Sequence, residues 1–183
     1  VNGIVFPLIS IVVSSYMTKV KYQNIHLKRK YQYLSETDVL TGLQNRNHFE
    51  YILNHDQDYH PCYCIYMDVN GLHELNNTEG HMSGDIMLKY VGNVFGKAFG
   101  RDSCFRVGGD EFVAFSFDED QDKILQAIDY VYHEAEKKKY HVSVGYSSMN
   151  DDITLEELVK EAESMMYEEK KKYYEVNNRR QMR

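Results

Sequence analysis

Residues 105–117 read Phe105-Arg106-Val107-Gly108-Gly109-Asp110-Glu111-Phe112-Val113-Ala114-Phe115-Ser116-Phe117. Apolar and β-branched residues flank a Gly-Gly pair, the pattern of two strands joined by a tight turn. A tight hairpin demands positive φ, which glycine adopts without steric cost, so Gly108 and Gly109 are expected in that conformation. Upstream, Cys62-Tyr63-Cys64-Ile65-Tyr66-Met67 is a six-residue apolar run bounded by Pro61 and Asp68 and reads as a buried strand. Between it and the hairpin, Met87, Tyr90, Val91, Val94, Phe95 and Ala98 keep the 3.6-residue spacing of a helix packed on one face.

Downstream, Ile124, Leu125, Ile128, Val131, Tyr132 and Ala135 predict another helix, and His141 to Tyr146 another strand. Thr154 with Glu157 makes a capping box that opens a last helix on Leu155, Leu158, Val159, Ala162, Met165 and Met166. Phe49, Ile52 and Leu53 mark a short helix at the near end. These stripes read as core. The order βαββαβα around a central hairpin predicts an α/β (α+β) fold, one sheet carrying helices with antiparallel pairing at its centre.

Composition agrees with an ordered fold. Of 183 residues, 43% are hydrophobic and 27% charged, with only two Pro, which excludes disordered and collagen-like classes. Three cysteines, Cys62, Cys64 and Cys104, are too few for a disulfide framework and lack zinc-ligand spacing, so they are expected as reduced core thiols. The net charge of −7 is unevenly spread. Residues 1–37 carry five basic side chains against Glu36, and the rest carries 16 basic against 27 acidic, or −11. A globular part so acidic is a poor binder of nucleic-acid polymers, and phosphates would reach it through a divalent cation.

Residues 1–18 contain no charge and are followed at once by Lys19 and Lys21. With no initiator Met, the run is expected to be the final part of a transmembrane helix, with the basic residues placing the rest of the chain in the cytoplasm at the cell membrane. An amphipathic or buried N-terminal helix is the alternative. Residues 19–37 form the expected helical stem: Val20, Leu27 and Leu34 fall seven apart, with Asn24 and Tyr31 interleaved. That spacing suits a short parallel coiled coil or a merely amphipathic linker helix.

The chemistry gathers around the hairpin. Asp68 is expected to close the first strand, and Asp110 and Glu111 sit on the turn about forty residues later. If the strands are neighbours, three carboxylates converge at one edge beside glycine amides. Hard oxygen ligands of this kind suit Mg2+ sharing its shell with substrate phosphates, and bare amides cradle phosphate oxygens. From spacing alone, a hairpin with acidic solvation fits as well.

Longer stretches add a resemblance. The block Asp68-Val69-Asn70-Gly71-Leu72-His73-Glu74-Leu75-Asn76-Asn77-Thr78-Glu79-Gly80-His81-Met82-Ser83-Gly84-Asp85 resembles the first characteristic block of the GGDEF family of diguanylate cyclases. Arg106-Val107-Gly108-Gly109-Asp110-Glu111-Phe112 matches the motif that names the family. Asp38-Val39-Leu40-Thr41-Gly42-Leu43-Gln44-Asn45-Arg46 resembles its opening motif, and Tyr167-Glu168-Glu169-Lys170 is similar to its closing helix motif. The resemblance places the domain at 38–176, leaving a basic tail at 177–183.

The resemblance implies a palm-like, nucleotide-cyclase-type mixed sheet surrounded by helices and preceded by the stem. It implies condensation of two GTP into cyclic di-GMP with release of two pyrophosphates. By position, Asp68, the Val69 carbonyl and Asp110 would hold Mg2+, or Mn2+. Asp110 would accept the proton of the attacking 3′-hydroxyl, with Glu111 supporting the same site. Asn76, His81, Asp85, Gly108, Gly109 and Lys170 would contact substrate. Asp85 can accept from guanine N1–H and the 2-amino group together, which favours GTP over ATP. At Asp85 an acidic first-turn residue favouring the helix dipole is the alternative, and at Lys170 dipole compensation on a solvated helix end. One nucleotide per subunit implies a homodimer, whose geometry the stem would set.

The chain departs from the family pattern at several points. His73 replaces the usual Lys, where it would steady phosphate charge, and an imidazole is only partly charged near neutrality. Asn70 and Asn77 replace acidic residues, and Tyr174 stands where Arg is frequent. At the family's product-binding Arg-x-x-Asp site Asp102 is present but Phe99 occupies the Arg position, so product inhibition of that form is not expected. These departures keep open a catalytically weak or inactive module that binds GTP or cyclic di-GMP. A dimeric structural module of an envelope protein, which would bind no nucleotide, is the third reading.

Overall fold

The computed structural model describes residues 13–25, 27, 35–55 and 59–181, with side chains to residue 175. The chain divides into two units, residues 1–35 and 36–183. In the first, residues 13–25 form helix α1, with Tyr16, Met17 and Tyr22 exposed. The apolar run over residues 1–12 and the seam positions Tyr31 and Leu34 lie outside the described residues. Among the described residues, no helix is long and apolar enough to cross a membrane.

The second unit is built on a five-stranded sheet: β1 (Gln44–Asn45), β2 (Tyr63–Asn70), β3 (Cys104–Arg106), β4 (Glu111–Ser116) and β5 (His141–Ser148), in the order β1-β3-β4-β2-β5. β1 pairs with β3 in parallel and every other pairing is antiparallel, so the sheet is mixed with an antiparallel centre, as expected. Five helices surround it: α2 (Arg46–His55), α3 (Leu72–Glu79), α4 (His81–Phe99), α5 (Gln121–Lys137) and α6 (Leu155–Gln181).

The pleat of the sheet sorts its side chains into two cores. Ile65, Met67 and Val69 of β2 join Phe112 and Ala114 of β4 against Val91 and Phe95 of α4 and Ile128 and Val131 of α5. Cys64 and Tyr66 face the other way, with Val113 and Phe115, against Phe49 and Ile52 of α2 and Leu158 and Ala162 of α6. Asp68 has the same parity as Cys64 and Tyr66, which puts it on the α6 side. α6 lies very close to the sheet at Gly145, where a Cβ would sit 2.2 Å from the Ala162 carbonyl oxygen and the Met166 nitrogen. Only glycine permits that approach.

Three local expectations change. β2 runs two residues beyond Asp68, because β5 continues to pair with it through Asn70 opposite His141. Helix α3 is not expected from the sequence. Its apolar face is short, with only Leu72 and Leu75 half-buried against the core, and Gly71 (φ 77°) and Gly80 (φ 87°) bound it. Neither Gly108 nor Gly109 has positive φ. The Thr154–Glu157 capping box forms as expected, with the Glu157 carboxylate accepting from Thr154 N at 2.8 Å and Glu157 N donating to Thr154 Oγ1 at 3.2 Å. α6 continues to Gln181, through most of the expected basic tail. Cys64 and Cys104 are buried free thiols and Cys62 is half-buried and free.

Candidate functional site

The site lies where β2 ends and β4 begins, beside the hairpin turn. Asp68 stands directly opposite Glu111, and cross-strand partners share a face of the sheet. Val69 N donates to the Asp110 carbonyl at 3.0 Å, latching the turn onto β2. Glycine at 108 leaves room for the Glu111 side chain: a Cβ there would lie 2.3 Å from Glu111 Oε2 and displace that carboxylate. A Cβ on Gly109 would meet nothing within 4 Å, so that side of the turn is open.

Arg106 ties this turn to the opening motif. Its guanidinium donates to the Gly109 carbonyl at 2.6 and 3.3 Å and to the Asp38 carboxylate at 3.3 and 3.4 Å. Asp38 in turn accepts from Thr41 N at 2.8 Å and Thr41 Oγ1 at 2.6 Å. The planar guanidinium spans both segments in a way a point charge could not. Arg106 and Asp38 both stand within the motifs, but the sequence alone gives neither a role.

Asp68 is 2% exposed and accepts from Lys170 Nζ at 2.6 Å through Oδ2, while its Oδ1 is buried without a hydrogen-bond partner. Burial pushes the Asp68 carboxyl above the ordinary carboxylate range; Lys170 pulls against that rise and Asp110 adds to it. Burial raises Glu111 in the same direction, with Asp110 and Asp68 contributing. Burial works against the charge of Lys170, yet the hydrogen bond and charge of Asp68 outweigh it and hold the ammonium above its usual range.

Lys170 is held in place from behind. One oxygen of the Glu169 carboxylate accepts from Tyr132 Oη, and the other accepts from Val144 N at 2.7 Å. The contact fastens α6 to α5 and to the edge strand β5. Nothing in the sequence signals it, because Tyr132 and Glu169 are 37 residues apart.

The remaining expected residues lie on α3 and α4. Asn76 is half-buried, with its Oδ1 unpaired, while His73, His81 and Asp85 are exposed. Asn70 is buried and donates through Nδ2 to Ser143 Oγ at 2.9 Å, and its Oδ1 also has no partner.

Among the described residues, no three His, Cys, Asp or Glu side chains are grouped so as to hold a metal ion. The expected meeting of three carboxylates is therefore not a ready-made cage. The donors present are still hard oxygens, and the buried, unpaired Asp68 Oδ1 is an acceptor that a cation would satisfy. This set fits a cation such as Mg2+, which takes only one or two carboxylates from protein and fills its shell from water and phosphate.

The chain is similar to known proteins. Residues 35–175 match the family described as "Diguanylate cyclase, GGDEF domain". An "Uncharacterized membrane protein" of Staphylococcus haemolyticus is 26% identical over 162 residues, 77% of this chain and 45% of its own length. A protein of the same description from Staphylococcus aureus is 25% identical over 166 residues with the same coverage. The chain thus spans about half the length of the curated relatives it matches. Among solved structures, a microbial GGDEF domain with bis-(3,5)-cyclic di-GMP superposes at a TM-score of 0.65 and 25% identity, covering 74% of this chain and 93% of that one. The coiled coil and GGDEF domain of DgcB from Caulobacter crescentus gives 0.72 at 19% identity, over 89% of this chain and 94% of that one, a likeness of fold. By its motifs, its mixed sheet and the match over residues 35–175, the chain belongs to the GGDEF domain family, generally diguanylate cyclases of cyclic di-GMP metabolism.

Proposed function

We propose that the chain is a diguanylate cyclase that condenses two GTP into cyclic di-GMP. The observation that carries this reading is a buried carboxylate, Asp68, with an unpaired oxygen at the sheet end where Asp110, Glu111 and the open side of Gly109 lie. In the reaction the 3′-hydroxyl oxygen of each GTP attacks the α-phosphorus of the other. Two O–P bonds form and two pyrophosphates leave.

The roles follow from position. Asp110, half-buried on the turn beside the exposed Gly109, accepts the proton of the attacking hydroxyl, and Glu111 keeps that edge electronegative. Asp68, the Val69 carbonyl and Asp110 hold Mg2+ or Mn2+. When bound, such a cation neutralises charge on the transferring phosphoryl group. The amides of Gly108 and Gly109 take phosphate oxygens, and Lys170 and His73 add positive charge to the same groups. Asp85 accepts from the guanine edge, and Asn76 and His81 complete the nucleotide contacts. Two subunits face each other, brought together by the stem, with the domain at 38–176 on the cytoplasmic side of a membrane. The naming of the staphylococcal relatives as membrane proteins supports attachment to a membrane.

The test is incubation of the full chain with GTP and Mg2+. Cyclic di-GMP with two pyrophosphates per product, and no product from ATP, is the expected result. GTP bound without product supports a second reading, a binding module, which the exposed His73 at the usual Lys position favours. No nucleotide binding at all overturns both.

A further inference from the structure

The ion pair between Lys170 and Asp68 has a consequence for how the site fills, resting on the function proposed above. Asp68 is 2% exposed, and a carboxylate so covered is costly unless paired. Lys170 supplies the pairing charge at 2.6 Å, from a side chain that keeps 28% of its surface exposed and so has a way out to solvent. The other oxygen, Oδ1, is buried, so a cation reaches it only if a neighbour moves. An ammonium on one oxygen also repels a divalent cation approaching the other, across a few ångströms of poorly screened space.

Lys170 is placed for this contact by its neighbour. Glu169 bonds Val144 N on β5 and Tyr132 on α5, which fixes the backbone of α6 and leaves the Lys170 side chain as the movable part. A nucleoside triphosphate offers that ammonium a stronger set of anionic oxygens than a single carboxylate does.

We infer that Lys170 is the resident counter-cation of Asp68 in the nucleotide-free chain: it pairs with Asp68 until a triphosphate draws it away, so divalent cation and nucleotide bind as a coupled pair. Coupling is reciprocal, so the factor by which triphosphate improves cation binding equals the factor by which the cation improves triphosphate binding. A nucleotide-free site then shows only the affinity left by the fraction of molecules in which Lys170 is already away.

The test reads Mn2+ binding to the full chain at pH 8 without nucleotide, from the paramagnetic resonance signal of free Mn2+. Wild type is expected to bind weakly. Lys170→Met and Lys170→Gln are expected to bind about tenfold more tightly, within the usual range of such couplings. Lys170→Arg, which keeps the charge, stays weak, and Asp68→Asn removes the binding in every background. The Gln variant can still hydrogen-bond Asp68 and covers the case in which the Met variant fails to fold. Equal affinity in wild type and the two neutral variants, all still dependent on Asp68, overturns the inference and leaves the proposed function standing. Absence of Asp68-dependent binding in every variant, with and without GTP, overturns both.

Discussion

The two ends of the sheet are finished differently. Where β2 begins, polar groups are paired: Cys62 N donates to the Ser116 carbonyl at 2.7 Å, Met149 N to the Cys62 carbonyl at 2.8 Å, and Ser147 Oγ to the Leu158 carbonyl at 2.6 Å. Where β2 ends, Asp68, Asn70 and Asn76 each bury a side-chain oxygen with no partner, the full set of such atoms among the described residues. Native folds leave few buried acceptors unpaired, and those they leave tend to mark function. Size does not mark it. A cleft of about 870 Å³ lies at the paired end near Tyr59 and Met149, whereas the clefts beside Asn70 and beside Glu111 measure about 630 and 340 Å³. Unmet hydrogen-bonding capacity distinguishes the ends better than empty space does.

The sharpest way to break this contrast is Asp110→Ala. It removes the proton acceptor at the open end, and turnover should fall about 10²–10⁴-fold while the melting temperature stays near that of wild type. Product formation at the wild-type rate would show that the open end does not carry the chemistry.

Glu111→Gln probes what the open end costs the fold. Burial raises the folded-state pKa of Glu111 above its unfolded value. As pH rises, the unfolded state ionises first, so the folded state loses stability from the ordinary carboxylate pKa up through the raised one. Glu111→Gln should therefore melt higher than wild type at pH 7, match it at pH 3, and turn over more slowly. Thermal melts across that range check the sign; a lower melting point at pH 7 contradicts it.

A smaller effect is expected at His73. An exposed ammonium there would add positive charge to the triphosphate, so His73→Lys should raise turnover several-fold in a GTP assay at fixed pH, with the melting temperature unchanged. An unchanged rate would remove position 73 from the site. The smallest effect belongs to the paired end. Ser147→Ala loses one buried hydrogen bond, worth about 1 kcal/mol of stability by denaturant titration, with turnover unchanged.

The same contrast explains what the sequence discloses. The helix stripes of α4, α5 and α6 are legible because each buries one face, which writes a period into the sequence, whereas β2 and β4, packed on both faces, are legible as short continuous apolar runs. α3 contributes only the half-buried Leu72 and Leu75 to the core, too short a record to read as a stripe. The glycines of the turn are legible as a turn but not in their reason: Gly108 makes room for the Glu111 side chain instead of adopting a left-handed backbone. Asp68, Asp110 and Glu111 stand out by type and by motif. Their contacts do not, because they join distant segments: Lys170 meets Asp68 across 102 residues, and Arg106 meets Asp38 across 68. No pattern of spacing encodes a contact between separate elements.

The central claim is that cation and nucleotide collect at the end with unpaired acceptors. It is tested most directly by adding Mn2+ to the ¹⁵N-labelled chain in the presence of GTP and following amide signals. The account predicts selective broadening at Val69, Asn76, Gly109 and Asp110, with the signals of Tyr63, Ser147 and Met149 intact. Broadening centred on Tyr63, Ser147 and Met149, or no selective broadening anywhere, would contradict it.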